Sequence, residues 1–85
     1  MKIKDSAILN IKDYLFTDGT RKYAYHWQLP DGTLIRRWDN APHWPDLAGA
    51  PHHCHKGNED IEPSAPKDIS SVLAEIRSII SSAVL

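Results

Sequence analysis

The run His52-His53-Cys54-His55 puts three imidazoles and a thiol in consecutive positions, and Asp39-Asn40-Ala41-Pro42-His43 upstream adds a carboxylate and a further imidazole. Four of the chain's five histidines therefore fall in one proline-punctuated stretch. Imidazoles titrate near neutral pH and also bind metals, so this pattern suits proton transfer or ligation. In an extended backbone, residues two apart point the same way, which makes His53 and His55 a candidate acid–base pair converging on one group. One imidazole would take the proton of a 2′-hydroxyl and the other would protonate the leaving oxygen. Arg37, or its neighbour Arg36, would supply positive charge to a phosphorane, and Asp39 would orient an imidazole. That is the constellation of a ribonuclease working without a metal, with catalytic residues His53, His55, Arg37 and Asp39. Tyr25 and Trp27 offer flat surfaces for unstacked bases, and with Arg36 and His43 they form the expected substrate-contact set.

Each residue has a structural alternative. Tyr23, Tyr25 and Trp27 have the spacing of a half-buried strand face and suit a core. Arg36 and Arg37 are adjacent and point to opposite faces, so at least one is an ordinary solvated charge. Asp39, Asn40 and the histidines also suit capping of loop amides and carbonyls. His52, His53, Cys54 and His55 form an alternative zinc set, but a second ligand cluster is weak, so no cofactor is expected. Cys54 as a nucleophile has no supporting signature, and as a lone cysteine it forms no internal disulfide.

These residues need a scaffold, and 85 residues suffice for a single domain, 1–85, with a modest core. Apolar residues at 41%, charged residues at 25% and a formal charge of −1 describe a globular chain and exclude a binder relying on bulk attraction to phosphates. Neither a long apolar run nor a charged-then-apolar leader is present, which gives the expectation of a cytoplasmic protein with no membrane partner. The predicted class is α+β. A three-stranded antiparallel meander spans about 6–16, 21–29 and 33–38, its turns set by Asp18-Gly19 and Asp31-Gly32, which are also expected to set the register. A long loop rich in histidine and proline follows, from Asp39 to Lys67. An amphipathic helix over about 69–82 is capped by Asp68 and turns Ile69, Val72, Leu73, Ile76, Ile79 and Ile80 towards the sheet. The first strand, apolar on both faces, has no evident outer partner, which suggests pairing through that edge.

The blocks Tyr23-Ala24-Tyr25-His26-Trp27-Gln28, Asp31-Gly32, Arg37-Trp38-Asp39-Asn40-Ala41-Pro42-His43 and Pro51-His52-His53-Cys54-His55 together resemble the TumE-type toxin family of bacterial and archaeal toxin–antitoxin systems. The resemblance covers most of the chain. It implies a β-sheet with flanking helices, a toxin function and an antitoxin encoded nearby. Family members are usually about a third longer, with a helix and strand ahead of the point matching Met1, so this chain looks like a short, N-terminally reduced member. Cys54 stands where the family pattern leads one to expect a lysine.

Two functions follow as expectations. One is a toxin acting on RNA through the histidine-rich loop. The other is a non-enzymatic interaction module, an inactive truncated relative that forms a homodimer through its sheet edge.

Overall fold

The computed structural model describes residues 1–3, 6–42, 50–57 and 60–83. Five strands and one helix follow in the order β1 (Ile8–Leu15), β2 (Arg21–Gln28), β3 (Leu34–Asp39), β4 (His53–Lys56), β5 (Ile61–Pro63) and α1 (Ile69–Ala83). The strands form one antiparallel sheet in sequence order. The α+β class and the C-terminal helix match the expectation, whereas the sheet has five strands rather than three. The two extra strands lie inside the span expected to be loop. Strands of four and three residues, set among prolines, are too short to show a period.

The first two turns are built alike. In Phe16-Thr17-Asp18-Gly19-Thr20, Gly19 takes φ 89° and its N–H donates to Phe16 O at 3.0 Å, while Asp18 Oδ1 accepts the Thr20 N–H at 2.9 Å. In Leu29-Pro30-Asp31-Gly32-Thr33, Gly32 takes φ 92°, with the matching bonds to Leu29 O and from Thr33 N–H. A positive φ there costs glycine nothing, which fixes both hairpins locally.

The turn does not fix the whole register of β3. Gln28 pairs Leu34 but Trp27 pairs Arg36, so Ile35 is an extra residue bulging from β3. Without it Trp38 would face Ala24; with it Trp38 faces Tyr25 and is 1% exposed. An aromatic side chain that buries roughly 200 Å² gains about 5 kcal/mol at about 25 cal/mol per Å², enough to select the bulged register. Gly57 accommodates it: its N–H donates to Ile35 O at 3.0 Å, and a Cβ there would lie 2.5 Å from Leu34 O.

One face of the sheet carries Leu9, Tyr23, Tyr25, Trp27, Trp38 and Cys54, which join Val72 and Ile76 of α1 in the buried core. Asp68 caps the helix reciprocally with Ser71: Asp68 Oδ1 accepts the Ser71 N–H at 2.8 Å and Ser71 Oγ accepts the Asp68 N–H at 2.9 Å. Glu75 fastens the helix to the sheet by accepting from Trp38 Nε1 at 2.8 Å and pairing Lys67 at 3.0 Å. The other face has no helix over it among the described residues.

Candidate active site

The pleat and the bulge together decide what the second face carries. His26 on β2 pairs Arg37 on β3, which pairs His55 on β4; Ala24, Asp39 and His53 form the next row. Cross-strand partners share a face, so Arg37, Asp39, His53, His55 and His26 all stand on the side away from α1. Had β3 kept the turn-set register, Arg36 and Trp38 would occupy that face instead.

Asp39 is the hub. Its Oδ2 accepts from Arg37 Nε at 2.8 Å and lies 3.6 Å from His55 Nε2, while its Oδ1 lies 2.8 Å from His53 Nε2 and accepts the Ala41 N–H at 3.0 Å. Asn40 beside it closes the end of the ladder with its side-chain amide, donating to Arg21 O at 2.7 Å and accepting from Tyr23 N–H at 3.0 Å. The capping expectation thus holds for Asn40 and, through the Ala41 N–H and the Pro51 carbonyl, in part for Asp39 and His53, and the Asp39 carboxylate also faces side chains that carry chemistry.

Proton positions follow from the acceptors. His53 Nδ1 sits 2.8 Å from the Pro51 carbonyl, which can only accept, so that nitrogen carries hydrogen. Its Nε2 faces a carboxylate oxygen, which also accepts when ionised. His53 Nε2 thus stands between the Asp39 carboxylate and the His55 ring, while its Nδ1 is fixed as a donor. The same Nε2 lies 2.9 Å from His55 Nε2, so one proton is held between the two imidazoles. His53 is 1% exposed and His55 25% exposed, so His55 is the imidazole of this pair that can meet a substrate.

Sequence reasoning missed His26. Its Nδ1 lies 3.2 Å from Arg37 Nη1, which donates to it, and burial followed by the Arg37 charge holds its pKa below the usual 6.5. His26 is therefore the neutral form at pH 7 and able to accept a proton. Its parity opposite Tyr25 and Trp27 was visible in the sequence, but nothing there connected it to a loop some thirty residues on.

The other expected residues separate. Tyr25 and Trp27 are core residues, 0% and 4% exposed, on the face under α1, and so offer no surface to a base. Arg36 is on that face too, 3.7 Å from Glu75. His43 lies outside the described residues. Alternation along β4 splits the zinc quartet: His53 and His55 face Asp39, Cys54 is buried beneath the helix, and His52 Nδ1 meets the Tyr23 hydroxyl at 2.7 Å. Burial pushes the Cys54 thiol up to about 11, which makes it a poor nucleophile. Among the described residues, the set that could hold a metal is Asp39, His53 and His55, whose donor atoms lie within 4.8 Å of one another. A back-bonded Nδ1 such as that of His53 is how metal-bound histidines are commonly oriented.

With the geometry in place, the sequence profile described as Toxin TumE matches residues 1–83. The chain belongs to the TumE toxin family. No curated protein and no solved structure is significantly similar to it. TumE membership implies a toxin with a cognate antitoxin, and the match takes in β1 to β5 and α1, so the TumE resemblance of the four sequence blocks extends across the whole sheet and helix. No helix among the described residues is long and apolar enough to cross a membrane.

Proposed function

We propose that the chain is a toxin that cleaves RNA by internal transphosphorylation at the uncovered face of its sheet. The observation that carries this is the row His26, Arg37, His55 on three adjacent strands. Neighbouring strands lie about 4.8 Å apart, so the two outer backbones are about 10 Å apart with a guanidinium between them. A phosphate held on Arg37 then has an imidazole on each side, as in-line displacement needs. His53 and His55 touch each other and do not flank a phosphate, so the pair expected from their spacing acts instead as a relay.

A bound phosphate draws Arg37 Nη1–H onto its oxygen, freeing the His26 Nδ1 lone pair to take the 2′-hydroxyl proton. The 2′-oxygen bonds to phosphorus and the bond to the 5′-oxygen breaks, leaving a 2′,3′-cyclic phosphate. In this reading His53 starts protonated beside Asp39 and His55 neutral: His55 delivers its Nδ1 proton to the departing oxygen while its Nε2 takes the Nε2 proton of His53, which is left neutral. Asp39 and His53 are positioning residues; His26, Arg37 and His55 meet the substrate.

The test is cleavage of a mixed RNA by the purified chain, beside His55→Ala and His26→Gln. Each variant is expected to lose about 10²-fold or more in kcat/KM. The acid limb of the wild-type pH profile is expected below 6.5, because His26 must be neutral and its pKa is lowered. A wild type that arrests growth yet leaves all RNA intact overturns the reading. Cleavage abolished by a chelator and restored by zinc would replace the relay with an ion on Asp39, His53 and His55.

A second reading, the interaction module, draws on β1. Met1 pairs with Leu9 at the start of its outer edge, but beyond Leu9 no strand among the described residues pairs there, and Leu15 is 77% exposed. A dimer or an antitoxin complex that dissociates on Ile11→Lys, with no toxicity in the wild type, would favour it.

A further inference from the structure

Charge is sorted between the two faces. Under the helix, Arg21 pairs Asp13, Arg36 and Lys67 pair Glu75, and Lys56 pairs Glu62. On the uncovered face, Lys12 and Lys22 have no carboxylate partner among the described residues, and the strand carboxylate there, Asp39, is buried and committed to Arg37 and His53. A chain of net charge −1 thus keeps its unneutralised strand cations on one surface, beside the imidazoles.

That surface is also hollow. Two depressions, about 420 and 350 Å³, share Lys12, Ala24 and Arg37 in their walls, so they join into one trough crossing β1 to β3. Ala24 is its floor: a small side chain between Lys12 and Asp39 in the cross-strand row leaves the space. Tyr14, 56% exposed, stands at the β1 end, and Arg37 opens the other end onto the imidazoles.

We infer that this trough is the seat of single-stranded RNA next to the scissile phosphate, with Lys12 and Lys22 on backbone phosphates and Tyr14 beneath a base. The inference rests on the RNA-cleavage reading and adds the path of the substrate to it. A flat tyrosine beside spaced cations is how single strands are held without sequence preference. A duplex is disfavoured, because the reaction needs the 2′-oxygen in line with the leaving group, a geometry that a regular helix does not offer. An acidic protein segment is the competing occupant. The exposed ring and the continuity with Arg37 favour RNA.

The experiment measures binding of a fluorescent, mixed-sequence 2′-O-methyl RNA 12-mer, which cannot undergo transphosphorylation, by anisotropy over a series of salt concentrations. K12Q/K22Q is compared with K56Q/R77Q, which removes equal charge from the covered face and the helix. The trough variant is expected to bind at least tenfold more weakly, and its salt slope is expected to fall by about 1.4, or about 0.7 for each phosphate that is no longer neutralised. Tyr14→Ala is expected to weaken binding about fivefold or more with an unchanged slope. Equal losses in the two double variants, or none in K12Q/K22Q, overturn the trough, as does a K12Q/K22Q protein that releases its antitoxin but keeps the RNA. If the wild type binds the 12-mer through Lys12 and Lys22 yet cleaves no RNA, the trough stands and the cleavage reading falls.

Discussion

The two faces of the sheet are made by the same five strands and alternate residue by residue, yet they solve opposite problems. Under α1 the side chains are aromatic and aliphatic, and each cation has a carboxylate: Arg21 with Asp13, Arg36 and Lys67 with Glu75, Lys56 with Glu62. On the other face a buried Asp39 gathers Arg37, His53 and His55 around one carboxylate, and Lys12 and Lys22 stand unneutralised among the described residues. Burial and pairing lower the energy of the first face. The second holds an imidazole pair, a carboxylate and a guanidinium within hydrogen-bond reach of one another, the condition in which they can exchange protons with a ligand. A thin domain can thus separate stability from chemistry across the thickness of one strand.

The largest expected effects test that separation. Trp38→Ala should cost about 3–5 kcal/mol, close to the whole stability of a small domain, and abolish toxicity by unfolding. His55→Ala, one strand away on the other face, should shift the urea midpoint little while removing toxicity. Equal destabilisation by both, read by urea unfolding, would break the comparison.

A smaller effect sharpens it from the helix side. Glu75→Gln keeps an acceptor for Trp38 Nε1 but loses the charge facing Lys67 and Arg36, and these cations are partly exposed. The expected loss is about 1 kcal/mol, with RNA cleavage per folded molecule unchanged. Reduced cleavage without reduced stability would mean that the helix acts on the open face.

The smallest is a pH effect on the covered face alone. The Arg21 side chain beside Asp13 holds the Asp13 pKa below the ordinary 3.8, so the stability it contributes is present above that value and is lost as pH falls beneath it. Burial and then Asp13 push Tyr25 up to about 12, so its contribution is full below 10 and is lost as pH rises from there towards 12. In Asp13→Asn, urea midpoints should lose part of the acid-side dependence, the rest coming from Asp18, Asp31 and Asp68, and narrow the alkaline one, since Tyr25 no longer faces a charge. An unchanged profile would remove Asp13 from the account of the covered face.

Much of the scaffold was legible in the sequence. The repeated Asp-Gly-Thr turns, the alternation of Tyr23, Tyr25 and Trp27 and the Asp68 cap are local signals, and each produced the expected element. His53 and His55 share a face because residues two apart on any strand do. The RNA contacts expected of Tyr25 and Trp27 went to the core, and Lys12, Lys22 and Tyr14, unremarked in the sequence, stand on the side where a substrate could lie.

What the sequence determined by itself is therefore whatever depends on neighbours along the chain: turns whose glycines need positive φ, the period of β2 and of α1, the capping box, and the blocks that carry family membership. What only the tertiary structure decided is which residues meet across strands. The Ile35 bulge exchanges Arg36 for Arg37 on the open face, and its reward, the burial of Trp38 against Tyr25 and α1, comes from partners distant in sequence. The pairing of β4 with β3 likewise brings His55 to Arg37 and His53 to Asp39. Four residues among prolines carry no period from which that pairing could be read, because its energy lies in the ladder and in the contact of Asp39 with His53, both of which exist only once the sheet has formed.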